Sequence, residues 1–250
     1  MISGKSRYFI WISFLVLPTI IIAGSSGPGI NPEQALNKLE EGNSRYVADN
    51  CLHPNADASR RSETAIEGQS PFATVIACSD SRVPVEILFD QGIGDIFVIR
   101  VAGNVCDVDE VGSIEYGVDH LNTPVCVVLG HTGCGAVTAV CTNAEVHGSI
   151  PALVDNIGPA VERARRKYPD LDDKNLVPHA VKYNVYQGID DLFKSSPAVR
   201  DRVRKGTLKV VGAIYDLESG SVKWLGTHPD QSQLLAYTSG PDLDTKHSKH

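Results

Sequence analysis

The sequence has no long basic run, few cysteines and little compositional bias, and each of these absences excludes a class of protein. Its 23 lysine and arginine residues are outnumbered by 30 acidic residues, which gives a net charge of −7. The chain therefore lacks the positive footprint of a nucleic-acid-binding protein. Six cysteines in 250 residues are too few for a disulfide scaffold. With 21% charged and 42% hydrophobic residues, the composition is that of a globular protein with one large domain or two small ones.

The N-terminus has the pattern of a secretory signal. Lys5 and Arg7 precede an apolar run over residues 8–23, which is short for a membrane span of about 20 residues. Small residues follow at 23–27, as they do at signal-peptidase cleavage sites. We therefore predict a signal peptide over residues 1–25 and a periplasmic or secreted protein. An uncleaved N-terminal anchor is the alternative, and no other contact with a membrane is expected.

A helical arm and a loop are predicted next, over residues 26–70. Asn31 followed by Pro32 has the pattern of a helix N-cap and first turn, and apolar residues at helical spacing extend this helix over 32–49. Residues 50–70 are polar and contain turn-forming types, so a connecting loop is expected there. The main domain is then assigned to residues 71–239. The polar segment 240–250 is expected to be a disordered tail.

The main domain alternates between strand-like and helix-like patterns. Three short apolar runs have the length and composition of buried strands: 73–77, 96–101 and 125–129. Two segments of helical period lie between them: 84–89 and 108–120. Alternation of this kind is typical of parallel sheets. The sequence therefore predicts an α/β fold, with a mainly parallel β-sheet flanked by helices.

The last third of the chain extends this pattern. Residues 152–167 and 172–194 have helical period, but Pro178 and Gly188 interrupt the second segment. A break or a late start of that helix is therefore expected. Two strand patterns follow and are expected to pair at the end of the sheet: 208–215 and 222–225.

Reactive side chains follow two of the predicted strands. The first strand runs into Cys78 and Asp80, and the third runs into His131 and Cys134. Ligands bind outside the carboxyl ends of the strands in open parallel sheets, so neighbouring strands would bring these four side chains together. Thiolate and imidazole donors favour Zn²⁺, whereas Mg²⁺ prefers oxygen ligands. The sequence therefore predicts a zinc site at this edge of the sheet.

Three other interpretations of these residues have less support. A single thiol or imidazole is most often an ordinary buried side chain, but two thiols, an imidazole and a carboxylate in one crevice weaken that explanation. A closed structural zinc site would be expected to have paired Cys-x-x-Cys knuckles, which neither cluster has. The segment 130–135 has the glycines of a phosphate-binding loop, but it lacks the Lys-Ser/Thr pair of a P-loop.

Taken together, the motifs CSDSRVP at 78–84 and HTGCGA at 131–136 resemble the zinc signature of the β-class carbonic anhydrases. Other segments resemble the same family and extend the similarity over residues 32–225: GQSP at 68–71, Phe97, RVAGN at 100–104 and SIEY at 113–116. The resemblance implies one zinc ion per subunit, with CO₂ and bicarbonate as substrate and product. It also implies a homodimer or higher oligomer with active sites near the subunit interface.

The resemblance also implies a role for each site residue. Cys78, His131 and Cys134 would be the three protein ligands of Zn²⁺, with water in the fourth position. The implied activity is the reversible hydration of CO₂ to bicarbonate and a proton through zinc-bound hydroxide. Asp80 would accept a hydrogen bond from that hydroxide, while Arg82 would hold the carboxylate and keep it ionised. Three further residues are implied around the small substrate: Gln69, Phe97 and Tyr116.

A closed form of the site is the alternative geometry. In it, Asp80 fills the fourth zinc position and breaks its pair with Arg82, which inactivates the enzyme. Some members of the family switch in this way at low pH, with bicarbonate in a pocket that involves a Trp three residues before the first cysteine ligand. Here Val75 occupies that position and Gln69 is present. We therefore expect the open, water-bound form, without a regulatory bicarbonate site.

Two rival functions share parts of this pattern. Relatives of the family hydrolyse carbon disulfide or carbonyl sulfide at the same zinc, and local motifs do not distinguish the substrates. A non-catalytic zinc-binding protein would be expected to lack the pair of Asp80 and Arg82, and this chain has both residues.

Four cysteines lie outside the predicted site: Cys51, Cys106, Cys126 and Cys141. In an exported protein they could form one or two disulfide bridges, but the sequence does not pair them. Cys126 lies within an apolar strand and is expected in the core, whereas Cys51 lies in a polar loop and is expected to be more exposed.

Overall fold

The structure is a computed structural model that describes residues 28–237. The predicted signal peptide at 1–25 and tail at 240–250 lie outside the described residues. The strands are β1 (Ala73–Ala77), β2 (Ile96–Arg100), β3 (Val125–His131), β4 (Lys209–Tyr215) and β5 (Val222–Gly226). The helices are α1 (Pro32–Val47), α2 (Ala58–Glu67), α3 (Val85–Leu88), α4 (Val108–Glu115), α5 (Gly135–Cys141), α6 (Ile150–Asp155), α7 (Gly158–Lys167), α8 (Asp173–Ser195), α9 (Pro197–Arg204) and α10 (Gln231–Leu235). Short 3₁₀ and π turns cover Ala102–Asn104 and Tyr116–His120.

Among residues 28–237, no helix has both the length and the apolar character needed to cross a membrane.

The five strands form one sheet in the order β2-β1-β3-β4-β5. Strands β2, β1, β3 and β4 are parallel, and β5 is antiparallel to β4. The chain passes from β1 to β2 on one side and then returns to place β3 on the other side of β1. The carboxyl ends of β1 and β3 therefore flank a topological switch point, which is where open α/β sheets bind ligands. The predicted α/β class and mainly parallel sheet are confirmed.

The central strands are buried on both faces, which explains their continuous apolar sequence. All residues of β1 and β3 are buried. Val75 and Val127 pack with residues of α1 and α3 on one face, whereas Ile76 and Val128 pack with residues of α4 and α8 on the other. This alternation is the two-residue period of a strand. The sheet is thus a rigid layer from which the loops at its carboxyl edge extend.

Helix α8 is continuous through Pro178 and Gly188, so the predicted break or late start is wrong. Pro178 lies in the second turn, where its missing N–H removes only one backbone hydrogen bond. The rest of the helix is held by its packing on the sheet. A Cβ atom on Gly130 would lie 2.7 Å from a Val185 methyl group, so the helix and β3 are in close contact.

Three other sequence predictions need correction. The segment 50–70 is not only a loop, because it contains α2, whose N-cap Asp57 accepts a hydrogen bond from the Arg60 N–H at 2.8 Å. None of the α2 residues is buried, so the segment lacks the apolar stripe by which a helix is recognised. The predicted helix at 152–167 is divided into α6 and α7. The first helix was predicted to end at residue 49 and ends at Val47.

All six cysteines lie within the described residues, and all are free thiols. The one or two disulfide bridges considered for an exported protein are therefore absent from residues 28–237. Cys126 is fully buried, as expected, and Cys51 is more exposed but still partly buried. Cys141 belongs to a different core cluster from Cys106 and Cys126, which separates it from them.

Candidate metal centre

Three elements at the switch point place the predicted ligands. Cys78 directly follows β1, His131 is the last residue of β3, and Cys134 is the N-cap of α5. The parallel pairing of β1 with β3 sets Ala77 opposite Leu129. Cys78 and His131 therefore lie at the same edge of the sheet. The turn after His131 is held by Thr132, whose N–H donates to the Tyr215 carbonyl at 2.9 Å.

The ligand atoms of Cys78, His131 and Cys134 all lie within 4.8 Å of one another. The three residues are 5%, 0% and 1% exposed. The Nδ1 atom of His131 lies 3.0 Å from the Thr132 carbonyl oxygen, so Nδ1–H donates there and Nε2 keeps its lone pair. This Nε2 is buried and has no hydrogen-bond partner among the described residues. A buried nitrogen without a partner is costly, and two adjacent sulfurs make it a fitting zinc ligand.

The two sulfurs compete for one negative charge. A hydrogen bond from Cys134 lowers the pKa of Cys78 against the effect of burial, and the Gly103 N–H acts in the same direction. The pKa of Cys134 is raised, first by its interaction with Cys78 and then by burial. One thiolate therefore forms more readily than two. A divalent cation would remove this conflict, because it deprotonates the thiols that coordinate it.

Asp80 and Arg82 form a bidentate pair beside the ligands. The Arg82 Nε and Nη2 atoms donate to the two carboxylate oxygens of Asp80 at 2.9 and 2.8 Å, and the Arg82 backbone N–H donates at 3.0 Å. These hydrogen bonds, the side-chain ones first, hold the pKa of Asp80 well below its usual range. The Asp80 Oδ2 atom lies 3.9 Å from Nε2 of His131. The carboxylate is therefore ionised, oriented and adjacent to the ligand cluster.

The loop that carries Cys78 and Asp80 is held by residues whose role the sequence did not predict. Arg100 donates from Nε to the Cys78 carbonyl at 3.1 Å and from Nη2 to the Asp80 carbonyl at 2.6 Å. The Gly103 N–H points at the Cys78 sulfur, and Asn184 on α8 bonds to the Gly103 carbonyl. Arg100 and Gly103 lie in the RVAGN segment. That segment resembles the family, but its sequence alone does not indicate that these two residues hold the Cys78 loop. In the sequence, Asn184 is noticeable only as a polar residue within a helix pattern of apolar residues.

The predicted substrate residues are not at the metal ligands of their own chain. Phe97 pairs with Thr74, four residues before Cys78 and thus about 13 Å from it along the strand. The rings of Phe97 and Tyr116 lie 5.9 Å apart, and Gln69 is exposed in the loop before β1. The structure therefore groups Phe97 with Tyr116 at the β2 edge. The role of the three residues as a substrate pocket stays a prediction.

A mainly parallel sheet with a Cys-His-Cys cluster and an ionised carboxylate at its switch point defines an α/β protein whose buried cluster could hold a metal ion. The family model described as carbonic anhydrase matches residues 73–222. Carbonic anhydrase 2 of Mycobacterium tuberculosis is 40% identical over 198 residues, which cover 77% of this chain and 92% of that protein. The carbonic anhydrase of Mycolicibacterium smegmatis is 38% identical over 201 residues, covering 78% of this chain and 94% of that protein.

Solved structures show the same likeness. The β-carbonic anhydrase CafA of Aspergillus fumigatus superposes with a TM-score of 0.64 at 28% identity, covering 82% of this chain and 94% of that one. A tetrameric β-carbonic anhydrase of Sordaria macrospora gives a TM-score of 0.62 at 26% identity, covering 68% and 88%. The chain belongs to the β-carbonic anhydrase family, and its enzyme class is that of a carbonate dehydratase.

Proposed function

We propose that this chain binds one Zn²⁺ through the Cys78 and Cys134 sulfurs and His131 Nε2, and that it catalyses the reversible hydration of CO₂ to bicarbonate and a proton. The observation that carries the proposal is the convergence of these three atoms within 4.8 Å, with Nε2 buried and without a hydrogen-bond partner in the described part of the chain. Zinc in such a site acts as a Lewis acid that lowers the pKa of water from 15.7 to about 7 and so supplies hydroxide at neutral pH.

Asp80 is the acceptor that this chemistry needs. Two thiolate ligands donate more charge to the metal than imidazoles would, so they make the water less acidic and increase the value of a fixed acceptor beside it. With both oxygens bound by Arg82, the Asp80 carboxylate cannot turn freely, and it presents a constant geometry to a hydrogen-bond donor. The same two bonds hold Asp80 in the open form, because occupying the metal would cost the carboxylate its bidentate partner.

A second copy of the chain completes the substrate pocket. Phe97 and Tyr116 lie at the edge strand β2, and Tyr116 is 48% exposed. An exposed edge with aromatic side chains is the kind of surface that another subunit covers. In this arrangement Gln69, Phe97 and Tyr116 of one subunit face the metal centre of the other. The relative from Sordaria macrospora, which is described as tetrameric, supports self-association.

Export is proposed from the N-terminal pattern alone. Residues 1–25 would direct the chain to the periplasm or out of the cell, and the mature enzyme would act on CO₂ and bicarbonate there. Fractionation of cells that express the full chain, with mass determination of the N-terminus of the product, tests this assignment.

The enzymatic proposal is tested by stopped-flow CO₂ hydration together with metal analysis. We expect one zinc per chain, loss of activity after treatment with a chelator, and recovery when Zn²⁺ is added back. His131→Ala should lose both zinc and activity, because three ligands become two. Zinc-loaded protein that releases sulfide from carbon disulfide but does not hydrate CO₂ would assign the rival substrate. Protein that binds zinc and does neither would be a non-catalytic zinc protein.

A further inference from the structure

The backbone N–H of Gly103 is aimed at the sulfur of Cys78. The nitrogen lies 3.3 Å from Sγ, within the range of a hydrogen bond to sulfur. Gly103 belongs to the 3₁₀ turn Ala102–Asn104, which is closed by a bond of 3.1 Å from the Asn104 N–H to the Val101 carbonyl. Its φ of +72° favours glycine. The turn in this form therefore presents one backbone N–H to the sulfur of Cys78.

Asn184 forms a hydrogen bond with the carbonyl group of Gly103. Its Nδ2 donates to the Gly103 carbonyl at 2.6 Å, and the side chain is 3% exposed. One turn further along α8, a Cβ atom on Gly188 would lie 3.5 Å from the Asn104 carbonyl oxygen. The turn thus rests directly on α8. The nearest ordinary packing contact is Ile157, whose Cδ1 would lie 2.7 Å from a Cβ atom on Gly103.

We propose that Asn184 is a positioning residue for the metal centre: it fixes the Gly103 turn so that the Gly103 N–H donates to Cys78 Sγ. This inference rests on the proposed zinc site. The chain of contacts runs from the Asn184 side-chain amide on α8, through the backbone of Gly103, to the sulfur of Cys78. All three residues are buried. Outer contacts of this kind orient metal ligands and adjust the charge that they donate.

The N–H···S bond has a defined electrostatic effect. It withdraws electron density from the sulfur, so Cys78 would donate less charge to a bound metal ion and leave that ion more electrophilic. This matters more in a site with two sulfurs than in a site with three imidazoles, because thiolates are the stronger donors. Without Asn184 the turn can rotate its amides, and the sulfur loses both its fixed position and its hydrogen bond.

Two substitutions test the proposal. Asn184→Ala removes the donor, and Asn184→Asp keeps the shape of the side chain but places a carboxylate oxygen against the Gly103 carbonyl. We expect zinc affinity, measured by competition with a chromophoric chelator, to fall about 10- to 100-fold in both variants. In the cobalt-substituted protein we expect the sulfur-to-cobalt charge-transfer band to move to longer wavelength, because an unbonded thiolate has higher-energy lone pairs.

Asn43→Ala is the matched control. Asn43 is also a buried asparagine, and its Nδ2 donates to the Leu88 and Gly220 carbonyls at 3.0 and 2.9 Å. Its loss should lower the melting temperature at least as much as the loss of Asn184, without changing the zinc affinity or the cobalt band. Unchanged affinity and an unchanged band in Asn184→Ala or in Asn184→Asp would overturn the positioning role. If the unsubstituted protein binds no zinc, the proposed function itself fails, and that outcome is distinct.

Discussion

The Asp80 carboxylate receives two hydrogen bonds from the Arg82 guanidinium, at 2.9 and 2.8 Å, and its Oδ2 still lies only 3.9 Å from Nε2 of His131. The arginine therefore fixes the carboxylate next to the cluster of Cys78, His131 and Cys134. In the proposed function, the position of this single carboxylate separates the open form of the site from the closed one.

Asp80→Asn should abolish most of the activity while the protein keeps its zinc. The amide replaces an ionised acceptor with a neutral group that Arg82 no longer holds with two bonds. We expect kcat for CO₂ hydration to fall by at least about 100-fold, with one zinc per chain by elemental analysis. Asp170→Asn, an exposed residue with no hydrogen bond or ion pair among the described residues, is the control. Near-normal turnover in Asp80→Asn would show that the carboxylate is not the acceptor.

Arg82→Ala should shift the site toward the closed form. Without the guanidinium, the ionised carboxylate of Asp80 has no partner and lies close enough to the cluster to coordinate the metal. A crystal structure of the zinc-loaded variant should show an Asp80–Zn²⁺ contact, and activity should be lost. Arg82→Lys should be intermediate, because lysine keeps the charge and loses the two-pronged geometry. If Asp80 stays away from the metal in Arg82→Ala, the arginine does not control the two forms.

Asp191 should make the protein less stable as the pH rises. Burial is the main reason that its pKa is raised to about 6, against about 3.9 in an unfolded chain. The folded state then binds the proton more tightly, so the contribution of Asp191 to stability is full below about pH 4 and is lost as the pH rises through about 6. Asp191→Asn should therefore increase the free energy of unfolding at pH 8 by about 1–2 kcal/mol. The gain should vanish near pH 4 in urea titrations.

Asp216 provides the control of opposite sign. Hydrogen bonds from the Ser219 backbone and side chain lower its pKa, so its contribution to stability is present above the unfolded pKa and is lost in acid. Asp216→Asn should lower the free energy of unfolding at pH 8. If both variants change stability in the same direction at that pH, the burial of Asp191 does not govern its protonation.

Tyr116→Glu should weaken self-association and activity together. The ring is 48% exposed and lies beside Phe97 and His120, so a carboxylate there would be desolvated if a second subunit covers this surface. Sedimentation velocity should show smaller species, with zinc retained and CO₂ hydration reduced. Tyr237→Glu, at another exposed tyrosine (45%), should leave both unchanged. An intact oligomer in Tyr116→Glu would place the subunit interface elsewhere.

Much of the fold could be predicted because its signals are local. Strands β1 and β3 are buried on both faces, and that environment requires the unbroken apolar runs by which they were located. Helix α2 was missed for the opposite reason, since none of its residues is buried and its sequence carries no apolar stripe. Pro178 does not break α8, because the cost of one missing hydrogen bond is small beside the packing of the rest of the helix on the sheet.

The sequence by itself determined which residues could bind a metal and at which strand ends they would lie, since strand and ligand are adjacent along the chain. Only the tertiary structure decided that β3 lies beside β1, that Nε2 of His131 has no hydrogen-bond partner within residues 28–237, and that Arg100 and Asn184 hold the loops around Cys78. The physical reason is the distance along the chain between the residues that interact. Burial and chain direction are fixed by neighbouring residues, whereas the contacts that orient a ligand join segments far apart in the chain, and no local pattern encodes their pairing.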